Sequence, residues 1–156
     1  MQEDYKRIRL VVEYWGDCDK RISELMTKKK LAEFRIKDMY NIGGTQKLDG
    51  MPHSTTVSSP VENEVERMKE LRLLFQEEID LCVHQIEELQ RFKLAVDNVI
   101  NTMRYRERTV IKLRYQDHRQ WQDIARHLDI SLRMVYYMEE RALRYLSPRI
   151  RVSVPK

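Results

Sequence analysis

The chain of 156 residues holds only four glycines, four prolines and two cysteines. So few helix breakers, beside 35% charged residues, point to long helices with solvated faces. Cys18 and Cys82 are too few and too scattered for a disulfide framework, which leaves the cytoplasm as the default compartment. No stretch approaches 18 consecutive apolar residues, so no membrane span is expected. The start, Met1-Gln2-Glu3-Asp4, is acidic and lacks an apolar run, so no secretory signal is expected either. Chemistry is also missing. There is no Gly-rich phosphate loop, no G-x-S-x-G and no H-E-x-x-H, and no enzyme is expected. The carboxylates between Glu62 and Glu88 spread around a helix as its solvated face. Cys82 and His84 fall on different helix faces, and His118 and His127 have no partners at metal-ligand spacing. Neither metal nor cofactor is expected.

What the chain does contain is an uneven charge. Residues 104–156 carry 13 Lys/Arg against 6 Asp/Glu, whereas the rest carries 16 against 19. The net +4 therefore conceals a basic C-terminal third, and a localised basic excess is the electrostatic footprint of a surface that meets phosphates.

Residues 4 to about 40 read as helix, with Ile8, Val12, Trp15, Ile22, Leu25 or Met26, Ile36 and Met39 or Tyr40 three or four apart. The apolar register carries through Gly16-Asp17, so the helix is expected to continue there, Gly16 costing about 1 kcal/mol relative to Ala. Lys28-Lys29-Lys30 reads as a solvated face, with a phosphate-contacting patch as the alternative. Residues 41–59 hold three of the four glycines, a proline and a Ser/Thr cluster, and read as a flexible link. Ser59-Pro60-Val61-Glu62 then combines an N-cap, a first-turn proline and a capping-box glutamate.

From there Val65, Met68, Leu71, Phe75, Ile79, Cys82, Ile86, Leu89, Val96, Ile100 and Met103 recur at close to 3.5-residue spacing. One helix of about 40 residues, roughly 60 Å long, is the simplest reading. Arg72 and Lys93 interrupt the seam. A helix this long with one apolar stripe needs a partner for it. The expected architecture is therefore all-α: a long antiparallel, coiled-coil-like hairpin over residues 1–103, followed by a three-helix unit over 104–147 and a basic tail over 148–156. A two-helix pair has a thin core, so a homo-oligomer formed through the N-terminal helices is expected. On this division, removing residues 1–58 leaves the C-terminal unit able to fold.

Within that unit Trp121, Ile124, Ala125 and Leu128 make one helical face, and Asp129-Ile130-Ser131 interrupts the period. Ser131 is a good N-cap for a second helix whose inward stripe is Val135, Met138, Ala142 and Leu146. A small residue at the crossing, an apolar turn residue and an inward valine form a helix-turn-helix pattern, a unit that lays its second helix in the major groove of double-stranded DNA.

Arg106-Glu107-Arg108-Thr109-Val110-Ile111-Lys112-Leu113-Arg114-Tyr115, then Ile124-Ala125, Leu128, Ile130-Ser131, Val135 and Arg141-Ala142-Leu143 with Leu146, resemble region 4 of bacterial sigma factors. Two positions depart from that pattern: Asp129 stands where the family has a turn glycine, and Gln120 where it has a Ser/Thr cap. The layout also resembles small phage regulators of the RinA/ArpU type. These resemblances imply a transcriptional regulator with RNA polymerase as a partner. The alternative is a small, oligomeric DNA-packaging subunit. With the Val135 stripe inward, Arg133, Tyr136, Tyr137 and Arg141 face outward, and Leu132 lies on the exposed first turn. Arg119 and Gln120 sit where the preceding helix begins. The DNA-binding residues expected from sequence are thus Arg119, Gln120, Ser131, Leu132, Arg133, Tyr136, Tyr137 and Arg141.

Overall fold

The computed structural model describes residues 2–42 and 60–155. Among them the architecture is all-α: α1 (Gln2–Gly16), α2 (Cys18–Ile42), α3 (Pro60–Ile100), α4 (Tyr105–Ile111), α5 (Trp121–Leu128) and α6 (Leu132–Leu146). α4 runs on into a π-helical turn over Lys112–Gln116. No strand occurs among the described residues, and no helix there is long and apolar enough to cross a membrane. Residues 43–59, and with them Ser59 of the expected capping box, lie outside the described residues. Asn41 and Ile42, assigned to the link from sequence, belong to α2.

The chain divides into two compact units, Met1–Ser23 with Glu87–Lys156, and Glu24–Ile86. The boundary expected at residue 103 does not coincide with either cut.

In the unit of residues 24–86, the end of α2 pairs with the beginning of α3. Lys28 Nζ lies 3.3 Å from Glu78 Oε1, the Arg35 guanidinium lies over the Phe75 ring, and Arg72 lies over Tyr40. Numbers rise along one helix as they fall along the other, so the pair is antiparallel. Its buried seam is Ala32 with Ile79, Cys82 and Ile86. Arg72, an interruption in the sequence pattern, swings its charge out over an aromatic ring instead of burying it.

The other unit has a much larger core. Ile8, Val12 and Trp15 of α1 are fully buried, as are Val96 and Ile100 of α3 and Val110, Ile111, Ile124, Val135, Leu143 and Leu146 of the C-terminal helices. Trp15 donates its indole N–H to Asp97 Oδ1 at 2.9 Å, and Tyr14 meets Phe92 edge-on at 5.3 Å. Lys93, the second seam interruption, is neutralised by an ion pair with Asp19. α1 thus supplies part of the core of the C-terminal helices, which were expected to fold without residues 1–58. Cys18 and Cys82 are free and buried, as expected of small apolar groups.

α1 ends at Gly16 and α2 begins at Cys18, with Asp17 alone as a turn residue; Asp17 N–H still reaches the Glu13 carbonyl at 3.3 Å and Arg21 N–H the Asp17 carbonyl at 3.0 Å, so helical bonding carries across as expected. Gly16 is a point of close packing. A Cβ built on Gly16 would lie 2.6 Å from the carbonyl carbon of Tyr115 and closer still to its oxygen. Only glycine lets α1 press so tightly on the π-helical turn. Asn101-Thr102 forms a joint, with Met103 N–H on the Ile100 carbonyl. Beyond α6 the chain does not simply trail away. Ile150 is buried, and its N–H bonds the Leu146 carbonyl at 2.9 Å.

Candidate nucleic-acid interface

The turn between α5 and α6 is built by two backbone bonds. Ile130 N–H reaches the Ala125 carbonyl at 3.1 Å and Asp129 N–H reaches Arg126 at 3.3 Å. This is a Schellman closure, and it needs a left-handed residue after the helix. Asp129 fills that place at φ 51°, ψ 49°, since aspartate tolerates the region better than most side chains. Ile130 then packs on the cluster of Val110, Leu113, Ile124, Ala125 and Val135, as expected of a turn plug. Ser131 is the N-cap of α6, its Oγ accepting from Met134 N–H at 3.2 Å. Gln120, at the corresponding place before α5, makes no side-chain cap.

α6 is held from behind by more than its apolar stripe. Val135, Ala142 and Leu146 are buried and Met138 is half-buried, as expected, and Leu143 joins them. Between them sits Glu139, almost fully buried. It accepts from Tyr115 Oη at 2.6 Å and from Arg9 Nη2 of α1 at 3.0 Å. Burial, and then the bond to Glu139, push the Tyr115 pKa far up, so the phenol stays protonated as a donor. Arg7 Nη2 reaches the Ser147 and Ile150 carbonyls at 3.4 and 3.3 Å, placing positive charge at the C-terminal end of α6. Glu107, also buried, pairs with Arg141 at 3.3 Å.

The opposite side of α6 faces solvent. Leu132, Arg133, Met134, Tyr136 and Tyr137 are all exposed. Arg133, Tyr136, Tyr137 and Glu140 fall on one face at helical spacing. Arg133 and Arg119 form no ion pair with another described residue. Arg141 is different: besides Glu107, it lies over the Tyr137 ring at 5.7 Å. Arg126 pairs with Asp123, and Arg144 with Glu140 at 2.6 Å. Tyr136 packs on Trp121 at 5.1 Å, and the Arg114 guanidinium covers the other part of that indole at 4.5 Å.

The structure thus brings Leu132, Arg133, Tyr136 and Tyr137 together on the exposed side of α6, with Ser131 capping its start. Arg119 and Gln120 are exposed ahead of α5. Sequence reasoning did not single out Arg114, which donates to the Arg119 carbonyl at 2.9 Å and so braces the entry to α5. Its spacing to Trp121 along the chain carries no signal, because the two are joined by an irregular turn in which His118 takes φ 52°.

Residues 93–146 match the family Sigma-70, region 4. The match covers about a third of the chain and takes in the end of α3, the whole helix-turn-helix and its supporting helix α4. Sequence and geometry agree on the sigma-70 region 4 likeness, which supports a DNA-binding regulator of the sigma, helix-turn-helix kind. The fold of that family is non-catalytic. Comparison with curated proteins and with solved structures gives no significant match.

Proposed function

We propose that the protein is a sequence-specific transcriptional regulator that inserts α6 into the major groove of double-stranded DNA. The observation that carries this reading is the first turn of α6. It is capped by Ser131, exposes Arg133 with no ion-pair partner among the described residues, and is fixed from behind by Val135 and Glu139. A side chain so placed has the reach for a guanine edge, and the helix behind it is already ordered. Tyr136 and Tyr137 flank that contact. Arg119 and the free N–H groups at the start of α5 take a phosphate, and Ser131, Leu132, Gln120 and Arg141 complete the surface.

The likeness to sigma-70 region 4 supports RNA polymerase as a second partner, and the layout supports a phage or mobile-element origin and work in the cytoplasm. A DNA-packaging subunit of the same parts assembles into a large ring, so light scattering on the purified chain separates the two readings.

Arg133→Ala tests the assignment. A bidentate Arg–guanine contact contributes about 1–3 kcal/mol of discrimination, so affinity for a footprinted cognate site should fall roughly 5- to 150-fold. Affinity for random duplex should fall much less. Equal losses on both would show that Arg133 reads no base.

A further inference from the structure

The antiparallel pair in residues 24–86 leaves one of its broad faces apolar. On α3, Leu71, Leu74 and Leu81 are exposed, Leu74 and Leu81 by more than half. Leu74 and Leu81 are seven residues apart, so they share a helix face, about a third of a turn from the seam of half-buried Phe75 and buried Ile79 and Cys82. On α2, Leu31 and Phe34 are likewise at least half exposed. The Lys28–Glu78 ion pair marks this same side of the ribbon, and the antiparallel register sets Leu31 at a level between Leu74 and Leu81. The opposite face carries Lys30, Glu33, Lys37, Lys69 and Asp80, with Met26, Tyr40 and Leu73 exposed among them.

We infer that this face is the contact with a second copy of the chain, the two ribbons closing into a four-helix bundle. Area and charge both select that occupant. Residues 24–42 of α2 extend about 28 Å, and two packed helices present a width of about 20 Å, so the face projects to about 550 Å² before side-chain relief is counted. That approaches the ~800 Å² per partner of a stable interface. The α2 part of the ribbon has five basic against three acidic residues, and residues 60–86 of α3 have three against seven. A two-fold axis parallel to the helices lays α2 on the partner's α3, attractive along both contacts and antiparallel to every neighbour. The other face-to-face choice sets α2 on α2 and α3 on α3, like net charge against like net charge. In the selected arrangement Leu31 meets the partner's Leu74 and the partner's Leu81, and the net-basic α2 segment lies on the net-acidic α3 segment.

The test is independent of any DNA. Sedimentation of the full chain should give a mass twice 19.0 kDa, and Leu74→Lys with Leu81→Lys should return it to the single-chain mass. A single-chain mass for the unaltered protein at concentrations up to about 100 µM would overturn the proposal. Cross-linking gives a second reading that does not depend on the lysine variant folding. A short bis-maleimide should join Leu31→Cys chains to Leu74→Cys chains in a mixture, while Leu31→Cys alone gives little product; Cys18 and Cys82 are buried and stay silent. Absence of the mixed product, or equal coupling of Leu31→Cys to itself, would refute the arrangement.

Discussion

Replacing glycine by alanine inside a helix ordinarily stabilises it by about 0.5–1 kcal/mol, because alanine loses less conformational freedom on folding. At Gly16 the structure reverses that sign. The position has no unusual backbone angle to object to a side chain. It has no space either: an added methyl meets the carbonyl oxygen and carbon of Tyr115, the latter at 2.6 Å. Both are backbone atoms, held by the π-helical turn, so no side-chain rotation relieves the overlap. Either α1 must back away, opening voids around Val12 and Trp15, or Tyr115 must shift and lose Glu139. Overpacking of this kind costs about 1–3 kcal/mol, and loss of the associated buried contacts brings the estimate to about 2–4 kcal/mol. For a unit of fewer than 100 residues that lowers the melting temperature by about 10–20 °C. Trp15 and Trp121 both lie in this unit, so tryptophan fluorescence during thermal or urea unfolding reads the effect directly. A Gly16→Ala protein as stable as the parent, or more stable, would show that α1 does not press on the turn as described.

Three further outcomes follow from the same packing. Glu139→Ala removes the acceptor shared by the buried Tyr115 hydroxyl and the half-exposed Arg9, and should cost about 2–3 kcal/mol in urea unfolding; a change under about 0.5 kcal/mol would deny the pair a structural role. Stability should fall above about pH 9. Burial pushes the Cys18 thiol up to about 11 despite nearby Lys93, and burial with the Glu139 bond pushes Tyr115 up as well. Both lose protons more readily unfolded, so their contributions are complete below the ordinary values and vanish as pH rises past the folded ones. Cys18→Ala should flatten the stretch between about pH 9 and 11, and a urea midpoint that does not change from pH 8 to 11 would exclude both shifts. Deleting residues 1–23 should abolish cooperative unfolding of the C-terminal helices, measured by circular dichroism; a sharp transition in the deleted protein would restore their independence.

The helix-turn-helix was legible because its determinants are local. The period of Ile124, Ala125 and Leu128, the plug at Ile130 and the cap at Ser131 lie within one short segment, and the structure shows each as the spacing implies. The α3 seam was legible from Ile79 onward, where Ile79, Cys82, Ile86, Leu89, Val96 and Ile100 are all buried, whereas Val65 and Leu71, expected on the same seam, are exposed. What the chain did not disclose depends on contacts between distant segments. Gly16 looked like a tolerated defect because its reason, Tyr115, lies nearly 100 residues away. The burial of Glu139 has no local signal, since its partners Arg9 and Tyr115 belong to other elements. Arg72 and Lys93 looked like register shifts, yet each reaches a partner on α2 while the seam continues.

These long-range contacts bear on recognition as well as on stability. On the reading proposed above, α6 can offer its exposed face to DNA only if the helix is fixed in angle and rotation, and a single apolar stripe permits rocking about its own line. Here the stripe is supplemented at two further points. Glu139 ties the middle of α6 to Tyr115 and to Arg9, and Arg7 secures the backbone where α6 ends. Both arginines come from α1, one side chain apart. α1 therefore braces α6, and on the proposed reading an α6 ordered before DNA arrives binds with a smaller conformational cost. Arg9→Ala leaves every exposed residue of the α6 face unchanged. If the brace matters, it weakens binding to cognate duplex while the helix content measured by circular dichroism stays constant; undiminished affinity would confine α1 to folding alone.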